Sequence, residues 1–213
     1  MRYSLQLLET EQSINAKIMQ ALLPEIKKYM AKVSRTIKTE FPYLIEDILS
    51  ESPTLNDLTR GRLRLELGIP DPINKILGIL DIWKNNVAVT YIPPKATFNG
   101  GIESSLSIGI IQSDYSDILG SDYAYVYDNV GNYRLPWLQW LLLDGTKPIV
   151  DNHRVLFTQS SRSRTGGAIM VGSNRSWSVP QQHAGTMEDN WITREIDKNQ
   201  DVIEQFLKDI LKS

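Results

Sequence analysis

The sequence predicts an α+β fold: a long N-terminal helix and a C-terminal amphipathic helix packed on a small, mostly antiparallel sheet with one central helix. Two patterns predict the helices. Apolar residues recur every three or four positions from Ile14 to Ile37, and again from Trp191 to Leu211. A third pattern predicts the strands, since short β-branched or aromatic runs such as residues 87–92 are bounded by proline or glycine.

Residues 1–50 form the predicted N-terminal helical region. Its apolar stripe consists of Ile14, Ile18, Leu22, Ile26, Met30, Val33 and Ile37. Pro24 lies inside this stripe, so either one helix ends near Leu23 and the next starts with Pro24 in its first turn, or the helix kinks there. Phe41-Pro42 is predicted to end the segment, and a further apolar turn or two follows up to Ser50.

Residues 51–180 form a predicted strand-rich centre. One short helix is expected at residues 73–83, with Asp71 as its N-cap and Pro72 in its first turn. The central helix is expected to start at Trp137, directly after Leu135-Pro136. The predicted strands cover residues 87–92, where Pro93-Pro94 stops the strand, and residues 106–112, 153–158, 168–171 and 177–180.

Residues 186–213 form the predicted C-terminal helix, which is the clearest helical pattern in the chain. Thr186 and Asp189 have the spacing of a capping box. Apolar residues from Trp191 onward then fall on one face. Because the chain has no internal repeat and no low-complexity tract, we expect one domain over residues 1–213.

Composition limits the classes of function. With 41% hydrophobic and 23% charged residues, the 213-residue chain is expected to bury a real core. Its formal net charge of −2 gives no global attraction to nucleic acid or to an anionic membrane. The absence of cysteine excludes disulfides and thiolate chemistry. No apolar signal core follows Met1, and the longest apolar run, residues 137–143, is too short to cross a bilayer, so we expect no membrane partner.

Catalytic motifs are sparse. His153 and His183 have no carboxylate or second histidine at metal-ligand spacing, and we expect His153 to be solvated or locally hydrogen-bonded and His183 to lie in an exposed loop. Acidic residues between 114 and 128 lack the pattern of a calcium loop, which favours a solvated loop over a cation site. We therefore predict no catalytic, metal or cofactor site. A hydrolase that combines Asp or Glu with one of the histidines is the alternative.

Three groups of charged side chains are candidates for an interface or a DNA channel. The first lies on one side of the N-terminal helix, where the flanking Glu25 and Glu40 favour a solvated face over phosphate binding. The second alternates around Gly61, and the third lies in a flexible loop, residues 160–167, that we expect a partner to order. Two tryptophans are added as interface candidates, although most of the five are expected in the core. The candidates are Lys27, Lys28, Lys32, Arg35 and Lys38; Arg60, Arg62 and Arg64; Arg162 and Arg164; and Trp177 and Trp191.

Four short motifs follow the N-terminal helix. They are Gly61-Arg62-Leu63-Arg64; Leu141-Leu142-Leu143-Asp144-Gly145-Thr146; Arg164-Thr165-Gly166-Gly167-Ala168-Ile169-Met170 with Trp177-Ser178-Val179-Pro180; and Asp189-Asn190-Trp191-Ile192-Thr193-Arg194-Glu195-Ile196. Over residues 15–213 this order resembles the head-to-tail joining (tail-completion or neck) proteins of tailed bacteriophages, in which the first motif enters a strand. Arg60 before Gly61, and a longer insertion between Ile69 and Trp83, depart from the family pattern. Those departures leave the particular neck component open.

The resemblance implies a non-enzymatic virion structural protein that forms a homo-oligomeric ring of about six or twelve copies. The ring would join the portal or connector of the DNA-filled head to the tail tube or terminator proteins, and genomic DNA would pass through its lumen. Its place would be the neck of the virion, after assembly in the host cytoplasm. A tail terminator capping the tail tube is the alternative within this class. A nucleic-acid-binding module is a further alternative, and it predicts duplex binding that falls steeply with salt.

Overall fold

The structure, a computed structural model, describes residues 9–97, 101–110, 114–127 and 133–213. It confirms the α+β class, with long helices towards both ends of the chain and antiparallel strands between them. Within the described residues, the strands form three separate antiparallel pairs and not one small sheet. Because an isolated strand pair is marginally stable in water, each pair depends on packing against other elements.

Helix α1 (Glu11–Ser50) runs for 40 residues and passes through both of its prolines. The predicted end at Phe41-Pro42 is wrong. Of the two alternatives at Pro24, a helix end near Leu23 is excluded, because α1 continues through the proline. A proline inside a helix costs about 3 kcal/mol, because it removes a hydrogen bond and clashes with the preceding turn. Next to Pro42, Phe41 and Ile45 are at most 1% exposed, and burial of each contributes about 1.5–3 kcal/mol, which offsets that cost.

The chain forms two compact units. The first contains Met1–Phe41, Ala88–Gly109 and Leu207–Ser213, and the second contains Pro42–Val87 and Ile110–Phe206. Each unit buries apolar side chains of its own, among them Val33, Ile37, Val89 and Ile210 in the first and Leu58, Trp83, Trp137 and Leu138 in the second. The single domain expected over residues 1–213 stays a prediction.

In the first unit, strand β1 (Ala88–Ala96) pairs with β2 (Ile102–Gly109) in an antiparallel hairpin. The predicted stop at the two prolines of β1 is wrong, because the strand continues through a bulge between Ile92 and Lys95. A bulge takes residues out of the hydrogen-bond ladder, which a proline cannot join because it has no N–H. Strand β2 starts earlier than predicted, and residues 111–112 of the predicted strand lie outside the described residues.

The second unit contains most of the short helices. They are α2 (Pro53–Arg60), α3 (Leu63–Glu66), α4 (Pro72–Asn86), α5 (Ser116–Leu119) and α6 (Trp137–Leu142). As predicted, the Asp71 side chain caps α4 by accepting the Asn74 N–H, and α6 starts at Trp137. Ser52 is the N-cap of α2, and its side chain accepts the N–H groups of Thr54 and Leu55.

Helix α3 stands where the first motif was expected to enter a strand, so that expectation is wrong. Leu63 and Leu67 are at most 2% exposed, whereas Leu65 between them is only half-buried. In a strand, alternate residues share one face, so Leu65 would be buried together with Leu63 and Leu67. Burial of Leu63 and Leu67 without Leu65 is the pattern of a helical turn.

Two further strand pairs belong to the second unit. Strand β3 (Val126–Tyr127) pairs with β4 (Arg134–Leu135), and β5 (His153–Phe157) pairs with β6 (Ala168–Gly172). Strands β5 and β6 agree with the predicted strands at residues 153–158 and 168–171. The strand predicted at residues 177–180 is reduced to one bridge between Trp177 and Val150.

The predicted C-terminal helix consists of two helices, α7 (Trp191–Lys198) and α8 (Gln200–Lys212). The predicted capping box of Thr186 and Asp189 is wrong. Asn190 caps α7 instead: its side chain accepts the Thr193 N–H, and the Thr193 hydroxyl accepts the Asn190 N–H at 3.0 Å. Asn190 directly precedes the first helical residue, Trp191, which is where an N-cap has to lie, whereas Thr186 lies five residues before Trp191.

Helix α1 is the longest of the described helices. Helix α1 exceeds the roughly 20 residues that a bilayer crossing takes. Charged side chains recur along it, however, and no helix in the described ranges combines the length with the hydropathy that a crossing requires.

Candidate functional site

The apolar stripe of α1 is buried in one part and exposed in another. Val33 and Ile37 are 2% and 1% exposed. Four large apolar side chains before them are exposed, and we call these the exposed stripe: Ile18 (50%), Met19 (37%), Leu22 (47%) and Tyr29 (37%). A patch of this kind on a helix is typical of a surface that contacts a partner.

The position along α1, and not the direction, separates the exposed stripe from the buried residues. At 100° per residue, Leu22 points within about 20° of Val33, and Met19 points in the same direction as Ile37. Val33 lies 11 residues after Leu22, which is roughly 16 Å along the helix at 1.5 Å per residue. Residues on one side of α1 thus face two different environments.

The basic cluster of α1 lies on its solvent-facing side. All five of its members are exposed, and within the described part of the chain none forms an ion pair with a carboxylate: Lys27, Lys28, Lys32, Arg35 and Lys38. The buried Val33 and Ile37 lie on another face of the same helix. All five side chains are exposed, which fits a solvated face and a phosphate-binding face alike.

Two side chains of α1 hold the end of α8. The Tyr29 hydroxyl donates to the carbonyl of Leu211, and Lys32 Nζ donates to the carbonyl of Ser213 at 3.2 Å. The last carbonyls of a helix have no partner within it and carry its negative dipole end, so a hydroxyl and an ammonium group both suit this position. Lys32 therefore has a local structural role.

In the second unit, the three arginines around Gly61 are separated by the fold. Arg60 is exposed at the end of α2, while the Arg62 guanidinium lies 5.1 Å from the centre of the Phe157 ring. The Nε atom of Arg64 is buried and has no hydrogen-bond partner among the described residues. The structure thus gives these residues three different environments and not one basic cluster.

Arg162 and Arg164 lie in the loop between β5 and β6. Hydrogen bonds of the Ser163 side chain link residues within this loop. The Ser163 Oγ contacts Thr165 Oγ1 at 3.2 Å and accepts the Ala168 N–H at 3.3 Å. The same loop borders a cavity of about 310 Å³ that α3, α6 and β6 also line. Both arginines line this cavity, together with Glu66 and Trp177.

Glu66 and Trp177 form the polar contact of that cavity. The Trp177 Nε1 donates to Glu66 Oε2 at 3.3 Å, and the Trp177 ring meets Trp140 edge-on with centroids 6.2 Å apart. Burial raises the pKa of the Glu66 carboxyl above its usual 4.5, against the lowering effect of this hydrogen bond. Trp177 is 8% exposed, so its ring belongs to the interior of the second unit.

Trp191 also lies in the interior of the second unit. It is 2% exposed and packs against Trp83, with ring centroids 5.2 Å apart and ring planes tilted by 56°. Burial of these large rings stabilises the fold, and such pairs contribute about 0.5–1.5 kcal/mol beyond the area they bury. The expectation that most tryptophans are core residues is confirmed for both members of this pair.

A groove between α2 and α4 was missed by the sequence analysis. Ile73 and Leu77 of α4 are 57% and 55% exposed and line a cavity of about 340 Å³, beside the buried Ile76 and Leu80. Arg60 lines the same cavity from α2, and we call this surface the α2/α4 groove. The signal in the sequence is the stretch Ile76-Leu77-Gly78-Ile79-Leu80 of α4, whose four apolar side chains cover a wider arc of the helix than one buried face requires.

His183 was expected in an exposed loop, and that expectation is wrong. It is 5% exposed, its Nε2 lies 3.0 Å from Asp57 Oδ2, and its Nδ1 lies 3.1 Å from Thr54 Oγ1. A carboxylate only accepts, so Nε2 carries the proton and Nδ1 accepts from the Thr54 hydroxyl. Burial lowers the pKa of His183 below 6.5, against the attraction of Asp57, and this keeps the ring neutral.

Thr54, His183 and Asp57 have the order of a nucleophile, a base and an orienting acid. Both Thr54 and His183 are at most 5% exposed, so the hydroxyl is closed to a substrate. Sequence reasoning could not find this cluster, because His183 lies more than 120 positions from both Thr54 and Asp57. His153, by contrast, has its Nδ1 2.8 Å from the Asp151 carbonyl oxygen, the local contact expected for it.

Within the described residues, no group of three or more His, Asp or Glu side chains is arranged to hold a metal ion. In the acidic stretch, Asp117 accepts from Asn86 at 2.7 Å, and Asp122 accepts from the Tyr127 hydroxyl at 2.6 Å. Asp128 lies outside the described residues.

Comparison with known proteins adds no relative: no family model, curated protein or solved structure matches this chain. The function therefore has to be inferred from the surfaces of the chain itself and from the motifs in its sequence.

Proposed function

We propose that this chain is a virion structural protein, a subunit of the ring that joins the DNA-filled head of a tailed bacteriophage to its tail. The order of the four motifs supports this class of protein. The exposed stripe of α1 supports self-assembly, and it is the observation that carries the proposal. In a closed ring every copy repeats the same contact, so a surface of modest area becomes a stable collar.

The size of the exposed stripe indicates what the ring contact needs. Burying the exposed fractions of its four side chains contributes about 2.5–5 kcal/mol, at 1.5–3 kcal/mol for a whole side chain. Association costs about 4–15 kcal/mol in lost translational and rotational freedom. The stripe is therefore insufficient alone, and the ring contact must include an apolar surface on the neighbouring copy.

The basic face of α1 suits the lumen of such a ring. Lys27, Lys28, Arg35 and Lys38 are exposed, and none pairs with a carboxylate among the described residues. Facing a channel, they would attract DNA phosphates. Each copy contributes only a few charges and the chain carries a net charge of −2, so passing DNA would be guided without being gripped.

The proposal is tested by placing a charge in the exposed stripe. Ile18→Asp is expected to dissociate the assembled protein, because burying an unpaired carboxylate in the contact is costly. Gln20→Asp is the matched control, since Gln20 is exposed on another side of the same helix. Sedimentation velocity measures the assembled fraction of each variant. Equal sedimentation of Ile18→Asp and the unmodified protein would contradict the role of the stripe.

A further inference from the structure

We infer that the α2/α4 groove receives the exposed stripe of α1 from a second copy of this chain. The inference rests on the proposed function and names the contact that closes the ring. It joins two different surfaces, so each copy offers its groove to one neighbour and its stripe to the other. Contacts of this head-to-tail kind generate closed rings, whereas a contact between two identical surfaces ends at a dimer.

The shape of the groove fits an apolar helix face. Its cavity of about 340 Å³ is more than twice the roughly 150 Å³ that holds a benzene ring in a protein interior. Ile73 and Leu77 lie four apart on one side of it, and both are more than half exposed. Grooves that bind amphipathic helices are lined in this way.

The exposed stripe has the spacing that such a groove recognises. Ile18 and Leu22 of the stripe lie four residues apart. The half-buried Ile14 lies four residues before Ile18, so the three follow one side of α1. Helices that dock in grooves insert anchors at this spacing. Of the surfaces in the described part of the chain, the stripe and the groove therefore match in spacing and in chemistry.

Charge complementarity supports the same pairing. Arg60 lines the groove, is exposed, and has no carboxylate partner among the described residues. Glu11 and Glu25 are exposed, and at 100° per residue both lie within about 20° of the direction of Ile18 on α1. A stripe that enters the groove would bring one of these carboxylates to Arg60, which favours this register over a slipped one.

Cysteine pairing tests the inference directly, because the natural chain has no cysteine. Full-length Ile18→Cys carrying an affinity tag is mixed with untagged full-length Leu77→Cys and oxidised mildly. Every tagged–untagged dimer is then intermolecular. A disulfide forms only where the two Cα atoms come within about 7 Å, so docking of the stripe in the groove predicts a dominant mixed dimer. Gln20→Cys mixed with Leu77→Cys is the control and is expected to give at least tenfold less.

Three outcomes would overturn the inference: mixed dimer no greater than in the Gln20→Cys control, a dominant dimer of Ile18→Cys with itself, or a dominant dimer of Leu77→Cys with itself. The native mass of the unmodified protein separates this failure from failure of the proposed function. A ring without the mixed disulfide would reject the groove contact and leave the ring standing. Absence of both the ring and the disulfide would reject the two proposals together.

Discussion

His183 and Asp57 are joined by a hydrogen bond of 3.0 Å between Nε2 and Oδ2 inside the second unit, where His183 is buried and the Asp57 side chain is 32% exposed. The other oxygen of Asp57 accepts the backbone N–H of Arg62 at 3.0 Å. This carboxylate thus ties the turn that contains His183 to the start of α3. A buried polar group is costly to leave without its partners, so changes in this cluster should lower the free energy of unfolding.

The first prediction concerns pH. Burial lowers the pKa of His183 below 6.5, so the unfolded chain binds a proton that the folded chain does not. The free energy of unfolding is therefore expected to be complete above pH 6.5 and to fall as the pH drops from 6.5 towards the lowered pKa. Urea unfolding between pH 7.5 and pH 5 measures this.

The contribution of Glu66 to the free energy of unfolding depends on pH in the opposite sense, because burial raises the pKa of its carboxyl above 4.5. Its contribution is present below pH 4.5 and is lost as the pH rises through the raised pKa. The titration is therefore performed in a Glu66→Gln background. If the free energy of unfolding falls with pH as steeply after His183→Gln as before it, other groups cause the pH dependence.

The second prediction concerns Thr54. Thr54→Val keeps the shape of the side chain but leaves His183 Nδ1 without a donor, and should lower the free energy of unfolding by about 1–3 kcal/mol. Thr54→Ser retains the hydroxyl and should cost less. Equal losses in thermal unfolding would show that the hydroxyl contributes nothing.

The third prediction concerns Gly61. A Cβ atom at this position would lie 1.5 Å from Asp57 Oδ1 and 2.9 Å from the Asp57 Cα, so Gly61→Ala should displace the carboxylate. We expect a loss of about 1–3 kcal/mol in the free energy of unfolding. Gly172→Ala is the control, since no atom of the described residues lies within 4 Å of the added methyl group there. Similar losses for both variants would contradict the steric reason.

The fourth prediction concerns the first unit. Tyr29→Phe removes the hydroxyl that binds the carbonyl of Leu211 and should destabilise the end of α8 by about 0.5–1.5 kcal/mol. Amide hydrogen exchange is expected to accelerate at residues 207–212 and to stay unchanged in β1 and β2. Unchanged exchange in α8 would show that the hydroxyl is not needed to hold this helix end.

Local signals made several elements predictable from the sequence. Asp71 and Pro72 specify the start of α4 through the capping side chain and the proline ring, and the apolar run Val155-Leu156-Phe157 marks β5. The position of Pro42 was misread because its cost is local, whereas the burial of Phe41 and Ile45 that offsets it depends on the rest of the fold.

The candidate surfaces were predictable only in part. The basic face of α1 follows from helical periodicity, so Lys27 and Arg35 were placed correctly on an exposed side. Exposure of the apolar Ile18 and Leu77 could not be predicted, because an apolar residue in a helical stripe reads as core until its neighbours in space are known. Burial of His183 could not be predicted either, because its partners Thr54 and Asp57 are distant in the sequence.

The central claim is that this chain assembles into a ring, and the native mass of the purified protein tests it most directly. Light scattering gives the mass over a range of protein concentrations, and negative-stain images of the same fraction show its shape. The account predicts closed rings of about six or twelve copies. A single species with the mass of one 24.2 kDa chain, up to the highest concentration at which it stays in solution, would contradict it.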